Sequence, residues 1–274
     1  MSSLLHGTGL AVPREAASCQ LFELAERGAR ADVSGFINGP TGSGKEVLSN
    51  FIHNNSNRDG RQFVAINCAA IPENMLEAML FGHEKGSFTG ASTANVGIIR
   101  AADGGTLLLD EVSEMSLSLQ AKLLRALQEK TVTPVGGTKP ISVDVRVLST
   151  SNRNMAAECQ SGRFREDLFY RLNVFPLTTL ALSERMQDIL PIAIELLLRH
   201  YKDLETLPML ADCAIKKLQS HSWPGNVREL DNVLQRATVM CTELEITGAD
   251  ILFDRNTIAP AQPKLDLATE TGHV

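Results

Sequence analysis

The chain has no apolar stretch approaching the roughly 20 residues needed to span a bilayer. Its opening, MSSLLHGTGLAV, lacks both the basic segment and the long apolar core of a secretory signal. The five cysteines (Cys19, Cys68, Cys159, Cys213 and Cys241) are odd in number and include no CxxC pair, which argues against a disulfide framework or a zinc cluster. The six histidines form no HExxH pattern, so the helix-borne zinc site of metalloproteases is excluded. Basic charge is not in excess either. With 26 Lys and Arg against 32 Asp and Glu, the net charge is −6, unsuited to gripping nucleic acid by neutralising phosphates. Internal repeats are missing. These absences point to a cytoplasmic protein with reduced thiols, no membrane association and no strong grip on nucleic acid.

What is present is an ordinary globular composition, 43% hydrophobic and 21% charged over 274 residues. That length holds one large domain, or one large and one small, each with its own core. Short apolar runs at Val33–Asn38, Phe63–Asn67, Thr106–Leu109 and Val143–Ser149 read as buried strands. Helix-period stretches at Arg14–Arg27, Val47–Asn54, Glu73–Leu80 and Leu117–Glu129 alternate with them. The alternation predicts an α/β fold, a parallel sheet covered by helices on both faces. From about residue 181 the pattern turns helical throughout, over Met186–Lys202, Leu210–Ser220 and Val227–Cys241. The predicted division is therefore an α/β domain over 1–180, a small all-helical domain over 181–251, and a linker remnant over 252–274. Asn226, in the WPGN turn, is the expected N-cap of the last helix.

Two motifs in the first domain carry chemistry. GPTGSGKE at 39–46 follows a strand and precedes a helix. Gly39, Gly42 and Gly44 allow backbone N–H groups, with Pro40, Thr41 and Ser43 between them, to close around phosphates. Lys45 supplies a point charge, and Glu46 and Val47 open the helix. Alone, this could be a glycine-rich turn before a helix. Leu107 to Leu109 then run into Asp110-Glu111, at the carboxyl end of a strand, where ligands of open α/β sheets bind. Asp110 is placed to hold Mg²⁺ through its water shell, and Glu111 to orient or deprotonate an attacking water. Asn67 and Asn152 follow two other strands on the same edge, as phosphate sensors or simply as turn formers. Between the motifs stands Gly86-Ser87-Phe88-Thr89-Gly90-Ala91. Phe88 either packs inward or is the tip of a contact loop, and its small neighbours favour the second.

Taken together, GPTGSGKE, FVAINCAAIPENMLEAMLFGHEKGSFTGA, GGTLLLDEVSEMSLSLQAKLLRALQE, GRFREDLFYRLNVFPL and WPGNVREL resemble the central AAA+ domain of NtrC-like bacterial enhancer-binding proteins. These are the activators of sigma-54 RNA polymerase, flagellar regulators among them. The resemblance covers roughly residues 4–245, and GSFTGA lies close to the family's GAFTGA signature. It implies an AAA+ P-loop sheet followed by a helical lid, ATP and Mg²⁺ as cofactors, and a homo-oligomeric ring, hexamer or heptamer. The ring would remodel the sigma-54 holoenzyme, with DNA bound only through a domain absent from this chain. It further implies Lys45 as the Walker A lysine, Asp110 and Glu111 as the Walker B pair, and Asn67 as the switch asparagine pairing with Glu111. Asn152 matches the first sensor, Arg165 and Arg171 match arginine fingers acting on a neighbouring subunit's nucleotide, and Arg228 matches the second sensor. Phe88 and Thr89 would contact the sigma factor. Three positions depart from the family pattern: Met79 replaces an acid, Ser183 replaces an arginine, and Ser151 replaces a threonine. A remodeller of another client, or a nucleotide-gated assembly module without hydrolysis, remain the competing readings.

Overall fold

The structure, a computed structural model, describes residues 13–88, 91–201, 207–241 and 244–253. Five parallel strands form its sheet: β1 (Gly35–Asn38), β2 (Phe63–Asn67), β3 (Thr106–Asp110), β6 (Arg146–Ser151) and β7 (Phe175–Thr178), in the spatial order β2-β3-β6-β1-β7. A short hairpin of β4 (Thr131–Val132) and β5 (Ile141–Ser142) lies outside it, and two short helices, Ile98–Ala101 (α4) and Met155–Gln160 (α6), precede β3 and follow β6.

The period-2 alternation of strand side chains divides the core between the two faces. Leu107, Leu109, Phe36 and Val147 pack with residues of the helices Glu73–Phe81 (α3), Leu117–Glu129 (α5) and Glu166–Leu172 (α7). Leu108, Ile37, Leu148 and Leu177 point the other way, onto Ala16–Arg30 (α1) and Lys45–Asn54 (α2). A sheet buried on both faces reads as continuous apolar runs rather than alternating ones, which is why those runs were legible.

The differences from the sequence reading have local causes. The strand expected at Val143–Ser149 begins at Arg146 and continues to Ser151, because the Val143 N–H donates to the Lys130 carbonyl beside the hairpin. The edge strand β7 escapes notice because it contains Pro176, and proline is tolerated in sheets chiefly at edges.

Residues after Leu182 build a second core from Ile189–His200 (α8), Asp212–Gln219 (α9) and Asn226–Met240 (α10), with Trp223 1% exposed at its centre. Trp223 Nε1 donates to the Leu218 carbonyl at 2.9 Å, so its one polar group is satisfied. This lid also holds a parallel pair of two-residue strands, Met209–Leu210 and Glu245–Ile246, too short to register against helical periodicity. Phe253 stacks on His221 with ring centroids 3.9 Å apart, so packing onto the lid continues past residue 251. Residues 254–274, the rest of the expected linker, lie outside the described residues. Among the described residues no helix is long and apolar enough to cross a membrane.

Candidate functional site

The loop after β1 turns sharply into α2. Gly42 and Gly44 have φ of 74° and 96°, a region that only glycine enters without strain. The first N–H groups of α2 have no partners within the helix and point into the loop, making an anion site. Lys45 is 8% exposed, and its Nζ donates to the carbonyls of Gly39 and Pro40 at 2.8 and 3.0 Å. Burial lowers its pKa, while Asp110 and Glu111 oppose that shift and Arg228 adds to it. Lysine, both acids and Arg228 therefore share one electrostatic neighbourhood. Glu46 is exposed in the first turn of α2 and Val47 is half-buried.

Asp110 ends β3 between two neighbouring strands. Asn67 Nδ2 donates to Asp110 Oδ2 at 2.9 Å from one side, and the Thr150 hydroxyl donates to Oδ1 at 2.5 Å from the other. The expected pairing of Asn67 with Glu111 is thus replaced here by one with Asp110, its partner in the register of β2 and β3. Glu111 has φ 54° and ψ 47°, a left-handed conformation, and its N–H donates to Thr150 Oγ1 at 3.1 Å. Asn152 Nδ2 reaches Thr41 Oγ1 at 2.9 Å, which joins the end of β6 to the phosphate loop. Cys68, buried beside the acids, has its thiol pushed up to about 12, by burial first and then by Asp110 and Glu111. It remains a protonated thiol and no nucleophile.

The lid closes on this loop through groups that sequence reasoning missed. Asn226 is not an N-cap. Gly225 holds that position, and Asn226 has φ 55° and is 4% exposed. Its Oδ1 accepts the Leu182 N–H at 2.8 Å and its Nδ2 donates to the Thr41 carbonyl at 3.0 Å. Val227 N–H donates to the Gly42 carbonyl at 2.9 Å. Buried Arg185, whose pKa burial lowers, donates to the Ser43 carbonyl. Ser43 Oγ meets Thr179 Oγ1 at 2.7 Å. Asp188 Oδ1 accepts the Glu15 N–H at 2.8 Å, tying the lid to the start of α1. A cleft opens beside Gly44, with Phe22, Val47, Ile192, Leu196 and Val227 among its apolar walls, a lining suited to a flat heterocycle. Only the apolar face of α8 hinted at it in sequence.

Arg228 is exposed, with its Cβ against Gly42: a Cβ built at Gly42 falls 3.2 Å from it. Arg165 and Arg171 are not gathered here. Both are exposed, Arg165 paired with Asp167 at 2.7 Å and Arg171 donating to the Leu127 carbonyl at 3.0 Å.

Phe88 is 45% exposed and is no core residue; its ring meets His83 edge-on at 5.0 Å. The base of its loop is closed by the paired backbones of His83 and Asn95 and by the Gly86 N–H on the Ala91 carbonyl at 2.8 Å. Thr89 lies outside the described residues. Among the described residues no group of three His, Cys, Asp or Glu could hold a metal ion unaided. A lone carboxylate such as Asp110 fits Mg²⁺ instead, which keeps most of its waters and takes phosphate oxygens.

A sequence model described as the sigma-54 interaction domain matches residues 12–178, and one described as an AAA+ ATPase lid domain matches 183–266. The response regulator protein FleR of Pseudomonas aeruginosa is 58% identical over 88% of this chain and 51% of its own length. The transcriptional regulatory protein FlbD of Caulobacter vibrioides is 48% identical over 91% of this chain and 55% of its own. The chain thus spans about half the length of these relatives. Among solved structures, NtrX from Brucella abortus in complex with ATP superposes with a TM-score of 0.79 at 35% identity. That match covers 88% of this chain and 54% of NtrX.

Proposed function

The chain belongs to the family of sigma-54 interaction domains, and from that premise we propose that it is an ATPase whose turnover remodels the sigma-54 RNA polymerase closed complex in the cytoplasm. The observation that carries the reading is the placement of Asp110 and Glu111 at the end of β3, close enough to buried Lys45 to favour its charged form. The ATP-bound relative of the same fold adds support.

On ATP binding, Lys45 exchanges its two carbonyl partners for phosphate oxygens, and the free N–H groups of α2 take up others. Asp110 would hold Mg²⁺, which would supply positive charge to offset that of the phosphates. Glu111 orients the water that attacks the γ-phosphorus and accepts its proton as the bond to the β-phosphate oxygen breaks. Asn152, already bonded to Thr41, reports the γ-phosphate, and Asn67 trades Asp110 for Glu111 as the site fills. Arg228 contacts the nucleotide from the lid. Arg165 and Arg171, exposed and apart from their own phosphate loop, serve a neighbouring protomer in a ring of six or seven. Phe88 and Thr89 meet the sigma factor.

Phosphate release measured against protein concentration tests this. Fingers acting between protomers require a rate per protomer that rises as rings form. A constant specific rate across that range removes the fingers from the mechanism. Nucleotide-dependent assembly without phosphate release would make the chain a binding module instead.

A further inference from the structure

Three consecutive hydroxyl residues, Ser149, Thr150 and Ser151, end β6, and all are 0% exposed. The outer two have plain structural partners. Ser149 Oγ donates to the Gly35 carbonyl at 3.4 Å and Ser151 Oγ to Ser113 Oγ at 3.0 Å. The Thr150 hydroxyl instead lies between the two acids of the candidate site. Its bonding has only one sense. A backbone N–H can only donate, so the hydroxyl oxygen accepts from Glu111, and its single proton goes to Asp110 Oδ1.

We propose that Thr150 is a positioning residue for ATP hydrolysis, its one hydroxyl fixing both the Asp110 carboxylate and the backbone of Glu111. The proposal rests on the ATPase reading above. Asp110 is gripped at each oxygen from a different strand, by Asn67 of β2 and Thr150 of β6. When Asn67 leaves for Glu111 on nucleotide binding, Thr150 is the grip that remains. Glu111 needs the other half of the bond. A non-glycine residue at φ 54° is strained and persists only where its surroundings determine it. The Thr150 acceptor fixes the peptide plane between Asp110 and Glu111, and so the direction in which the Glu111 side chain leaves the strand.

Thr150→Val keeps the β-branched shape and removes the hydroxyl, whereas Thr150→Ser keeps the hydroxyl and removes the methyl. In the ring-forming protein, Thr150→Val should lower kcat about 10-fold or more with KM for ATP within about twofold, and Thr150→Ser should retain most of the rate. Thr150→Ala, with less side chain to misfit, should repeat the valine result. In nucleotide-free protein, the Glu111 amide should exchange its hydrogen about 10-fold faster in Thr150→Val and near the parent rate in Thr150→Ser. Normal turnover in the valine or alanine variant overturns the proposal. So does a serine variant as slow as valine, because shape rather than the hydroxyl would then matter. A parent protein that releases no phosphate would instead sink the ATPase reading, while the Glu111 amide still reports whether the hydroxyl holds that backbone.

Discussion

The phosphate loop over Gly39–Gly44 and the loop carrying Phe88 share glycines, small residues and a threonine, yet the first is clamped by the lid and by β6, whereas the described residues of the second are closed chiefly by their own backbone hydrogen bonds, with Ser87 against Gly136. The lid reaches the phosphate loop through Asn226, Val227 and Arg185, and the end of β6 reaches it through Asn152. Gly39 and Gly42 are required by close approach as well as by torsion, and Gly44 by torsion alone. A Cβ on Gly42 would fall 2.7 Å from the Gly225 carbonyl oxygen, and one on Gly39 would fall 2.0 Å from Thr179 Oγ1. Gly86, at φ 82°, has no described residue within 4 Å of such an atom. One loop is thus built to keep its shape around a ligand, and the other to leave an aromatic ring in solvent. Composition is shared; the neighbours make the difference.

Gly42→Ala should break the first loop most severely. The substitution combines a positive φ with a collision against a backbone carbonyl that cannot rotate away. A loss of about 3 kcal/mol or more is expected, read by thermal unfolding, with nucleotide affinity falling about 100-fold in titration. Retained affinity would mean that the lid is no wall of the phosphate loop.

Asn226→Ala comes next. It strands the buried Leu182 N–H and the Thr41 carbonyl, an expected cost of about 2–3 kcal/mol in denaturant unfolding. Asn226→Gly tolerates φ 55° and loses only the hydrogen bonds, so the gap between the two variants isolates the backbone strain, about 1 kcal/mol. Equal losses in both would show that the left-handed backbone costs nothing here.

Those contacts also mark where the sequence stops being informative. The apolar runs fixed four strands of the sheet to within a few residues, since a buried strand must be apolar wherever it packs. The phosphate loop and the Asp110-Glu111 pair were legible because their chemistry is contiguous in the chain. Asn226, Arg185, Asp188 and Thr150 were not. Each acts on a partner distant in sequence, such as Thr41 at 185 positions or Asp110 at 40, and an isolated asparagine or threonine carries no periodic signature. Asn226 was misread for a physical reason, because a cap and a long-range clamp use the same side chain, and only the positive φ separates them. The run Ser149-Thr150-Ser151 did hold a clue. Three hydroxyls inside an apolar strand must each find a partner.

Gly86→Ala tests the second loop. With no described residue near the added methyl, the torsion is the main penalty, about 1 kcal/mol, and nucleotide affinity should be unchanged. A drop in affinity like that of Gly42→Ala would show the two loops to be one packed unit.

Phe88→Ala should have the smallest effect on stability and, under the proposed function, a complete one on output. A phenylalanine in the core costs about 3–5 kcal/mol when cut to alanine. Phe88 is 45% exposed and, among the described residues, has one ring neighbour, His83, so about 0.5 kcal/mol is expected. The variant should bind ATP and release phosphate as the parent does, because the ring packs on His83 and supplies no group to the phosphate site. Open-complex formation by sigma-54 polymerase should nevertheless be lost, since the aromatic anchor of the contact is gone. The two measurements fail separately. A stability loss of about 3 kcal/mol would return Phe88 to the core and erase the contrast between the loops. Normal open-complex formation would leave that contrast intact and take the sigma factor away from this loop.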